Sequence, residues 1–233
     1  TKCCNIFSFL YDREGNFWFG SCYEGVEFHP ARNSFTCYAT RKNDSSDRGK
    51  VVSAVCELKD GQYLLGNEND GILLFDRHAG MVVPYRTAQN VGTAIYNVFS
   101  MLVDDQTLWI AAFQRGIEAV DLKSRTVKSY LADPSDPSSR VFVLFRSSSG
   151  RIWAGTSVGL FYYDRFEDRF VTRDPKVRIS DITEDHAGRL WIATNEDGLY
   201  SYDARTDLLQ HYRYDPDDPA TISRNAVNTL AVD

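Results

Sequence analysis

Four histidines are the residues best suited to general acid–base chemistry, because an imidazole changes its protonation state near neutral pH. They are His29, His78, His186 and His211. A lyase would need one of them as its base, and a sialidase-type hydrolase would need an acid and a tyrosine nucleophile beside clustered arginines. Neither arrangement is visible, and the sequence contains no P-loop, G-x-G-x-x-G, H-E-x-x-H or G-x-S-x-G motif. We therefore predict no catalytic residue.

Carboxylate and thiolate side chains offer a second chemistry, the binding of metal ions. Two adjacent pairs, Asp104–Asp105 and Asp217–Asp218, have the composition of turns, and calcium binding there stays open as an alternative. Five cysteines lie in the first quarter of the chain, but their spacing gives no two C-x-x-C hooks for zinc. We expect free, at least partly buried thiols, with a Cys22–Cys37 disulfide as the alternative, and neither a metal nor a cofactor. The cysteines are Cys3, Cys4, Cys22, Cys37 and Cys56.

The overall charge argues against two classes of partner. The 233 residues carry a formal net charge of -6, whereas nucleic acid and anionic membranes both favour a basic face. No apolar run reaches the roughly 18 to 20 residues that span a bilayer. Aromatic residues make up 13% of the chain, and they favour half-buried strands. We expect a β-rich fold, no nucleic acid partner and no direct membrane contact.

An internal repeat decides the fold prediction. Five segments share the form D-x-x-G-x-x-W-x-x-T, a few polar residues, then G-L-x-x-Y-D, as in DHAGRLWIATNEDGLYSYD from Asp185. The anchoring tryptophan is replaced once by leucine, and successive anchors are 46, 45, 44 and 38 residues apart: Trp18, Leu64, Trp109, Trp153 and Trp191. Such periods, with markers in phase, are typical of repeat folds. Each tryptophan is expected to fill the gap between neighbouring repeats.

Two further positions keep a fixed offset in the repeat. A second glycine begins the latter half of each copy: Gly25, Gly71, Gly116, Gly159 and Gly198. In four copies an aspartate follows five residues later: Asp76, Asp121, Asp164 and Asp203. We expect each of these aspartates to accept hydrogen bonds from the backbone N–H groups of its own turn.

Each copy predicts four short strands, which in the fifth copy are Ile179–Glu184, Arg189–Thr194, Leu199–Tyr202 and Leu208–Tyr212. Four strands per repeat is the blade pattern of a β-propeller, in which neighbouring blades bury one another's faces. The predicted fold is all-β, a β-propeller of four-stranded antiparallel blades, with about five blades plus one extra strand. We predict a single domain, 1–233, with blades at approximately 5–40, 51–86, 95–131, 139–173 and 179–214.

The start of a sixth repeat is expected at residues 222–233. Within it, Ala226–Val232 match the pattern of a first strand. We therefore expect the chain to be a fragment of a longer array, with closure of this strand onto an early blade as the alternative.

The string GRLWIATNEDGLYSYD, from Gly188 to Asp203, closely resembles the two-component regulator propeller repeat. The strings GRIWAGTSVGLFYYD, from Gly150, and GNFWFGSCYEGVEF, from Gly15, are similar to it, and the resemblance covers nearly the whole chain. The second and third copies depart from the motif, with Leu64 in place of tryptophan and Gln106 in place of glycine.

This resemblance implies a sensor without enzymatic activity of its own. Members of the family are usually extracytoplasmic sensors of hybrid two-component histidine kinases and response regulators that control polysaccharide utilisation. The resemblance therefore implies a periplasmic location, as part of an inner-membrane protein. It also implies an oligosaccharide or other small ligand, neighbouring propeller and β-sandwich domains, and a candidate homodimer of the parent. Two alternatives stay open: a non-catalytic protein-interaction scaffold, and a propeller glycoside hydrolase or lyase.

A ligand site is expected where the loops between second and third strands meet the crossovers between blades. The sequence varies there on a constant scaffold, which is where binding residues usually lie. Aromatic rings could stack on sugars, while charged and amide groups could bind hydroxyls. The candidates are Tyr23, Glu24, Glu68, Asn69, Asp70, Phe113, Gln114, Arg115, Glu196 and Asp197.

Overall fold

The computed structural model describes residues 6–21, 25–29, 36–38, 51–59, 61–67, 71–85 and 97–232. Within these ranges the chain forms five four-stranded antiparallel sheets, each made of four strands that are consecutive in the sequence. The one helical element in the described ranges is a 3-10 turn, Pro137–Ser139. The prediction of an all-β propeller fold with four-stranded blades is confirmed.

Two compact units make up the chain, 1–112 with 119–128 and 113–118 with 129–233. The single-domain organisation stays a prediction. Blade 1 contains β1 (Ile6–Tyr11), β2 (Phe17–Ser21), β3 (Gly25–His29) and β4 (Thr36–Tyr38). Blade 2 contains β5 (Val52–Lys59), β6 (Gln62–Asn67), β7 (Gly71–Asp76) and β8 (Met81–Pro84). Blade 3 contains β9 (Val98–Asp104), β10 (Thr107–Ala112), β11 (Gly116–Asp121) and β12 (Val127–Tyr130).

The remaining two blades lie in the second unit. Blade 4 contains β13 (Val141–Arg146), β14 (Ile152–Thr156), β15 (Leu160–Asp164) and β16 (Arg169–Arg173). Blade 5 contains β17 (Ile179–Glu184), β18 (Leu190–Thr194), β19 (Leu199–Asp203) and β20 (Leu208–Tyr212). The predicted strands of the fifth repeat agree with these bounds to within one residue.

Small residues on the second strands let neighbouring blades approach closely. A side-chain carbon placed on Gly66 would lie 2.7 Å from Val98 Cγ1 of the next blade, and one on Gly155 would lie 2.6 Å from Ile179 Cγ2. Ala111 and Ala193, both completely buried, hold the corresponding positions in blades 3 and 5. Glycine usually weakens a strand, and its presence here is explained by the close backbone approach.

The anchor residue of each blade, a tryptophan in four blades and Leu64 in blade 2, lies two residues before this small residue and therefore on the same face of its strand. Trp18 is completely buried, with its ring 4.2 Å from the ring of Tyr63 in blade 2. Trp153 is buried in the second unit and packs edge-on against Tyr202 of blade 5, at 5.9 Å. In both units the ring fills the space between adjacent blades, as predicted.

A β-bulge recurs at the second residue of every first strand. In β5 the pairing with β6 shifts between Val52 and Ala54, and in β17 the pairing with β18 shifts between Ile179 and Asp181. The same shift occurs in the first strands of blades 1, 3 and 4. A bulge re-aims the extra residue, and in β5 that residue is Ser53, whose hydroxyl donates to the carbonyl of Val98 in the next blade.

Turn aspartates behave as predicted. Asp76 Oδ1 accepts from the backbone N–H groups of His78 and Ala79, both at 2.9 Å. Asp164 Oδ1 accepts from Phe166 and Glu167 in the same way, at 2.8 and 3.1 Å. These aspartates close the hairpins between third and fourth strands, so their recurrence reflects turn geometry.

The aspartate that opens the first turn of the repeat binds the indole of the tryptophan that follows it. Trp18 Nε1 donates to Asp12 Oδ2 at 2.7 Å, and Trp191 Nε1 donates to Asp185 Oδ2 at 3.0 Å. Asp12 Oδ2 also accepts from the Tyr63 hydroxyl at 3.0 Å, which joins blade 1 to blade 2. The bond from Trp191, followed by that from the Arg189 backbone, lowers the pKa of Asp185 to about 2. Sequence reasoning identified both positions of the motif but missed this bond.

Blade 4 lacks this aspartate and has Ser147 in its place. The Ser147 hydroxyl bonds to Ser149 Oγ at 2.8 Å and to the Arg151 carbonyl at 3.1 Å. Trp153 Nε1 is buried without a hydrogen-bond partner among the described residues. A buried donor without an acceptor lowers stability, so blade 4 carries a defect that blades 1 and 5 avoid.

The prediction of a sixth first strand at Ala226–Val232 is wrong, because the segment forms no strand. It lies against blade 5 through isolated hydrogen bonds, from Val227 N to the Thr194 carbonyl at 2.9 Å and from Leu230 N to Asp181 Oδ2 at 2.8 Å. The Ser180 hydroxyl donates to the Val227 carbonyl, as Ser53 does to Val98. The segment thus contacts blade 5 as a following first strand would, but no described strand pairs with it.

We expect Gly155→Ala to destabilise the second unit by roughly 1–3 kcal/mol, the usual cost of overpacking. The added carbon would lie 2.6 Å from both Ile179 Cγ2 and Val143 Cγ1. Urea unfolding measures the free-energy change. The cost should be smaller in an Ile179→Ala background, and an equal cost in both backgrounds would contradict the packing argument.

We expect Ser147→Asp to stabilise the protein by about 0.5–1.5 kcal/mol, the net value of one hydrogen bond. The new carboxylate would accept from Trp153 Nε1, as Asp185 does from Trp191. The measurement is again the free energy of unfolding in urea. In a Trp153→Phe background, where the ring has no N–H, the gain should disappear. A variant no more stable than the parent protein would refute the prediction.

Candidate functional site

Half of the predicted ligand-binding residues lie outside the described residues. These are Tyr23, Glu24, Glu68, Asn69 and Asp70. The proposed Cys22–Cys37 disulfide involves side chains that are likewise outside the described part. The other five candidates fall on two loops of the second unit, one at 113–115 and one at 196–197.

Buried threonines at the ends of second strands shape the loops that follow. Thr194 Oγ1 donates to the Gly198 carbonyl at 2.8 Å and accepts from Asp197 N at 2.9 Å. Thr156 makes the equivalent bonds, to the Gly159 carbonyl at 2.9 Å and from Val158 N at 3.1 Å. The threonine of the repeat motif therefore fixes the backbone of the loop, a role that sequence reasoning did not assign.

Gly198 allows the third strand of blade 5 to begin immediately after this loop. Its φ is +83°, and a side-chain carbon there would lie 2.2 Å from the Tyr212 carbonyl. The loop is thus held against the end of β20, and this brings Asp197 beside the residues that follow that strand.

Asp197 is the centre of a polar network in the second unit. Its carboxylate accepts from the Tyr200 hydroxyl at 2.5 Å and pairs with Arg213 Nη2 at 3.0 Å. His211 Nε2 donates to the Asp197 carbonyl at 2.6 Å, and its ring stacks on Tyr200 at 3.9 Å. Burial, together with the bond to Asp197, raises the pKa of Tyr200. The contacts of Asp197 therefore hold the loop in place, whereas the guanidinium of Arg213 remains exposed.

Beside this network lies an open cavity of about 660 Å³ that sequence reasoning missed. The crossover after blade 5 forms most of its wall, and its lining includes Tyr212, Tyr214 and Asn225. Ligand sites typically measure roughly 300–1,000 Å³ and combine apolar walls with a few polar groups. The cavity has the size and the mixed lining of such a site. The D-P-D-D-P string of the crossover was its one sequence signal.

The loop at 113–115 protects a buried carboxylate. Arg115 Nη2 lies 3.4 Å from Glu118 Oε1, and the Glu118 side chain is 4% exposed. Burial raises the pKa of Glu118, while Arg115 acts to lower it. Gln114 has a φ of +56°, and Phe113 is 39% exposed. Phe113 can meet a ligand, whereas Arg115 serves partly to neutralise Glu118, a residue that sequence reasoning did not single out.

The histidines and acidic pairs lie on separate elements. His29 is on β3, His211 is on β20, and His78 and His186 are in turns. In the described part of the chain, no group of His, Cys, Asp and Glu side chains has the arrangement of a metal site. Burial raises the pKa of the free thiol of Cys56 to about 12, so this thiol is protonated at neutral pH.

None of the helices in the described ranges has the length and apolar character required to cross a membrane.

Residues 174–196 match the family described as two component regulator propeller. An alignment of 97 positions, which covers 35% of the chain and 7% of the relative, shows 34% identity to Histidine kinase P4 of Formosa agariphila.

Solved structures with the same fold include extracellular domains of putative hybrid two component systems. The extracellular domain of a putative hybrid two component system from B. thetaiotaomicron superimposes on 95% of this chain, with a TM-score of 0.79 and 18% identity, and 30% of that domain is covered. A second such domain from that organism gives a TM-score of 0.69 at 18% identity, over 98% of this chain and 36% of its own length.

An enzyme shares the fold as well. A catalytically inactive virginiamycin B lyase from Staphylococcus aureus gives a TM-score of 0.70 at 13% identity, over 91% of this chain and 71% of the lyase. At these identities the structural similarities establish the fold alone. The similarity to the two-component regulator propeller family therefore depends on the repeat motif, which matches that family at residues 174–196 and recurs around Trp18, Trp109 and Trp153.

Proposed function

We propose that this chain is part of the extracytoplasmic sensor of a hybrid two-component histidine kinase and response regulator, and that it responds to oligosaccharides during polysaccharide utilisation. The match of residues 174–196 to the regulator propeller family carries this proposal. The identity with a histidine kinase over 97 residues supports it. So does the shared fold with extracellular domains of putative hybrid two component systems.

The cavity after blade 5 is the site that we propose for the ligand. Sugars bind to flat aromatic surfaces flanked by hydrogen-bonding groups, and Tyr212, Tyr214 and Asn225 supply both kinds of surface. Arg213 adds an exposed donor that is already oriented by Asp197. The exposed ring of Phe113, with Gln114, stays a candidate contact, as do Glu196 and the five candidates outside the described residues.

Signalling on this proposal is allosteric, and this chain performs no chemistry. The ligand must bind one arrangement of the parent protein more tightly than another, since a ligand with equal affinity for both shifts neither. The blades act as a rigid support whose ligand-dependent position is passed to the neighbouring propeller and β-sandwich domains, and through a dimer to the kinase.

We expect a cognate oligosaccharide to raise the thermal stability of this chain in a screen of plant, host and microbial sugars. At a hundred times its dissociation constant, a ligand stabilises the folded state by about 2.7 kcal/mol. Tyr214→Ala should weaken binding at least tenfold in calorimetry, because it removes an aromatic wall of the cavity. Phe166→Ala, which removes a ring exposed at 98% in a turn of blade 4, is the matched control and should bind normally.

An oligosaccharide that binds the Tyr214→Ala variant as tightly as the parent protein would contradict the proposed site. If no sugar raises the thermal stability, the interaction-scaffold alternative is favoured instead.

The role of Arg115 needs a different experiment, because replacing Arg115 also leaves the buried carboxylate of Glu118 without its ion-pair partner. We expect Arg115→Ala to cost about 1–3 kcal/mol of stability, since a buried acceptor loses its partner. In a Glu118→Gln background the same change should cost much less. Urea unfolding of the four proteins gives the coupling energy, and a coupling near zero would refute the pairing. The contribution of Arg115 to ligand binding is then measured in the Glu118→Gln background.

A further inference from the structure

Two positions of the repeat lie at the outer edges of the blades. The turn position is nine residues after the second glycine, between the third and fourth strands, and has a φ between +52° and +63° in blades 2 to 5. Its residues are Gly80, Arg125, Asp168 and Asp207. The closing position is fourteen residues after that glycine, at the end of the fourth strand. Its residues are Tyr85, Tyr130, Arg173 and Tyr212.

The closing residue of one blade contacts the turn residue of the next blade. Between blades 2 and 3, the Arg125 guanidinium lies 4.8 Å from the ring centre of Tyr85 and donates to its hydroxyl. Between blades 3 and 4, the Tyr130 hydroxyl donates to Asp168 Oδ1 at 2.7 Å, and the Tyr130 ring packs edge-on against Phe170 at 5.6 Å. The turn residue is a cation at one interface and an anion at the other, and a tyrosine hydroxyl binds both.

Blades 4 and 5 keep the contact but exchange its chemistry. Arg173 holds the closing position, pairs with Asp207 and donates to the Tyr202 hydroxyl at 3.0 Å. Its guanidinium lies 5.2 Å from the ring centre of Tyr202, and the Tyr202 hydroxyl donates to Asp207 Oδ1 at 3.0 Å. The residue types thus change at both positions while the two stay complementary. This pattern indicates that the repeat retains the contact and not one residue type.

The backbone at the turn position favours glycine, which blade 2 has there as Gly80. A left-handed φ is uncommon for a residue that carries a side-chain carbon. Arg125, Asp168 and Asp207 nevertheless adopt it, and each of their side chains reaches the preceding blade. The unfavourable backbone is therefore found where the side chain makes the contact.

The interface between blades 4 and 5 is packed in its inner part and open at its outer edge. Trp153 and Ile179 are buried in the inner part. At the outer edge, Arg173, Tyr202 and Asp207 line an open cavity of about 310 Å³. Apolar packing therefore holds the inner strands together, whereas a polar contact holds the edge.

We propose that these paired residues form an edge latch, a conformational device that holds the outer edges of adjacent blades together and can open while the inner interface stays packed. Proteins open locally where few apolar contacts are buried, and the edge between blades 4 and 5 has this character. Its opening moves β20 and the crossover that follows, which forms most of the wall of the cavity after blade 5. The state of the latch therefore changes the shape of that cavity, whether or not the cavity binds an oligosaccharide.

The test exchanges residues that the chain already uses at these two positions. Asp207→Arg places an arginine at the turn position, which blade 3 accommodates at a φ of +63°, but sets it against Arg173. Arg173→Tyr restores the pair found between blades 3 and 4, and the double variant restores the pair found between blades 2 and 3. Native-state hydrogen exchange of the full chain measures opening of the edge through the amides of β20, and opening of the inner part through those of β18.

We expect Asp207→Arg to raise the exchange rates of the β20 amides several-fold, because it replaces an exposed ion pair with two like charges. The β18 amides should stay within about twofold of the parent protein, since local opening leaves the inner part closed. Arg173→Tyr and the double variant should keep the β20 rates within about twofold, because each is a complementary pair. Glu167→Arg makes the same charge change beside Arg169 within one turn of blade 4, and this matched control should leave β20 unchanged.

Three results would overturn the proposal. Unchanged β20 rates in Asp207→Arg would show that the contact does not hold the edge. An equal increase in Asp207→Arg and in the double variant would place the effect within the turn of blade 5, because the residue at position 173 would then be irrelevant. An equal increase in β18 and β20 would show that the edge opens only when the inner interface opens as well.

Discussion

Each unit depends on close contacts between neighbouring blades. A small residue on the second strand of one blade touches a branched residue at the start of the next blade. Gly66 meets Val98 in the first unit, and Gly155 meets Ile179 in the second, at distances that leave no room for a further carbon. The anchor residue two positions earlier, Leu64 or Trp153, packs in the same cluster as that neighbour, so each interface alternates a large side chain with a small one. Because interiors are close-packed, neither position tolerates much change in volume.

The aspartate–indole bond depends on this packing. Once Trp18 is completely buried, its N–H needs an acceptor, and Asp12 provides one while also accepting from Tyr63 of the next blade. Burial acts to raise the pKa of Asp12, but the bonds from Trp18, Asn16 and Tyr63 outweigh it and lower the pKa. The contribution of this bond to stability is therefore complete above the pKa of a free aspartate, about 4, and is lost as the pH falls through the lower pKa of Asp12.

A position at which one copy departs from the repeat motif loses a contact that other copies keep. Ser147 leaves Trp153 Nε1 without an acceptor among the described residues, and a buried donor without an acceptor lowers stability. The loop at Asp197 instead follows the motif, because Thr194 fixes its backbone as Thr156 does in blade 4. Its network of Tyr200, His211 and Arg213 supports the wall of the cavity after blade 5.

The sequence by itself determined the features that depend on residues close together in the chain. Strand positions, turn aspartates such as Asp76, and the anchoring role of Trp18 all followed from offsets within one repeat. Tertiary structure alone decided the contacts between residues far apart, such as the bond between Asp12 and Tyr63, 51 positions away. It also decided that Glu118 is buried, and that Ala226–Val232 form no strand despite their pattern. The physical reason is that burial and strand pairing require a partner surface, and the local sequence does not specify which distant residues supply it.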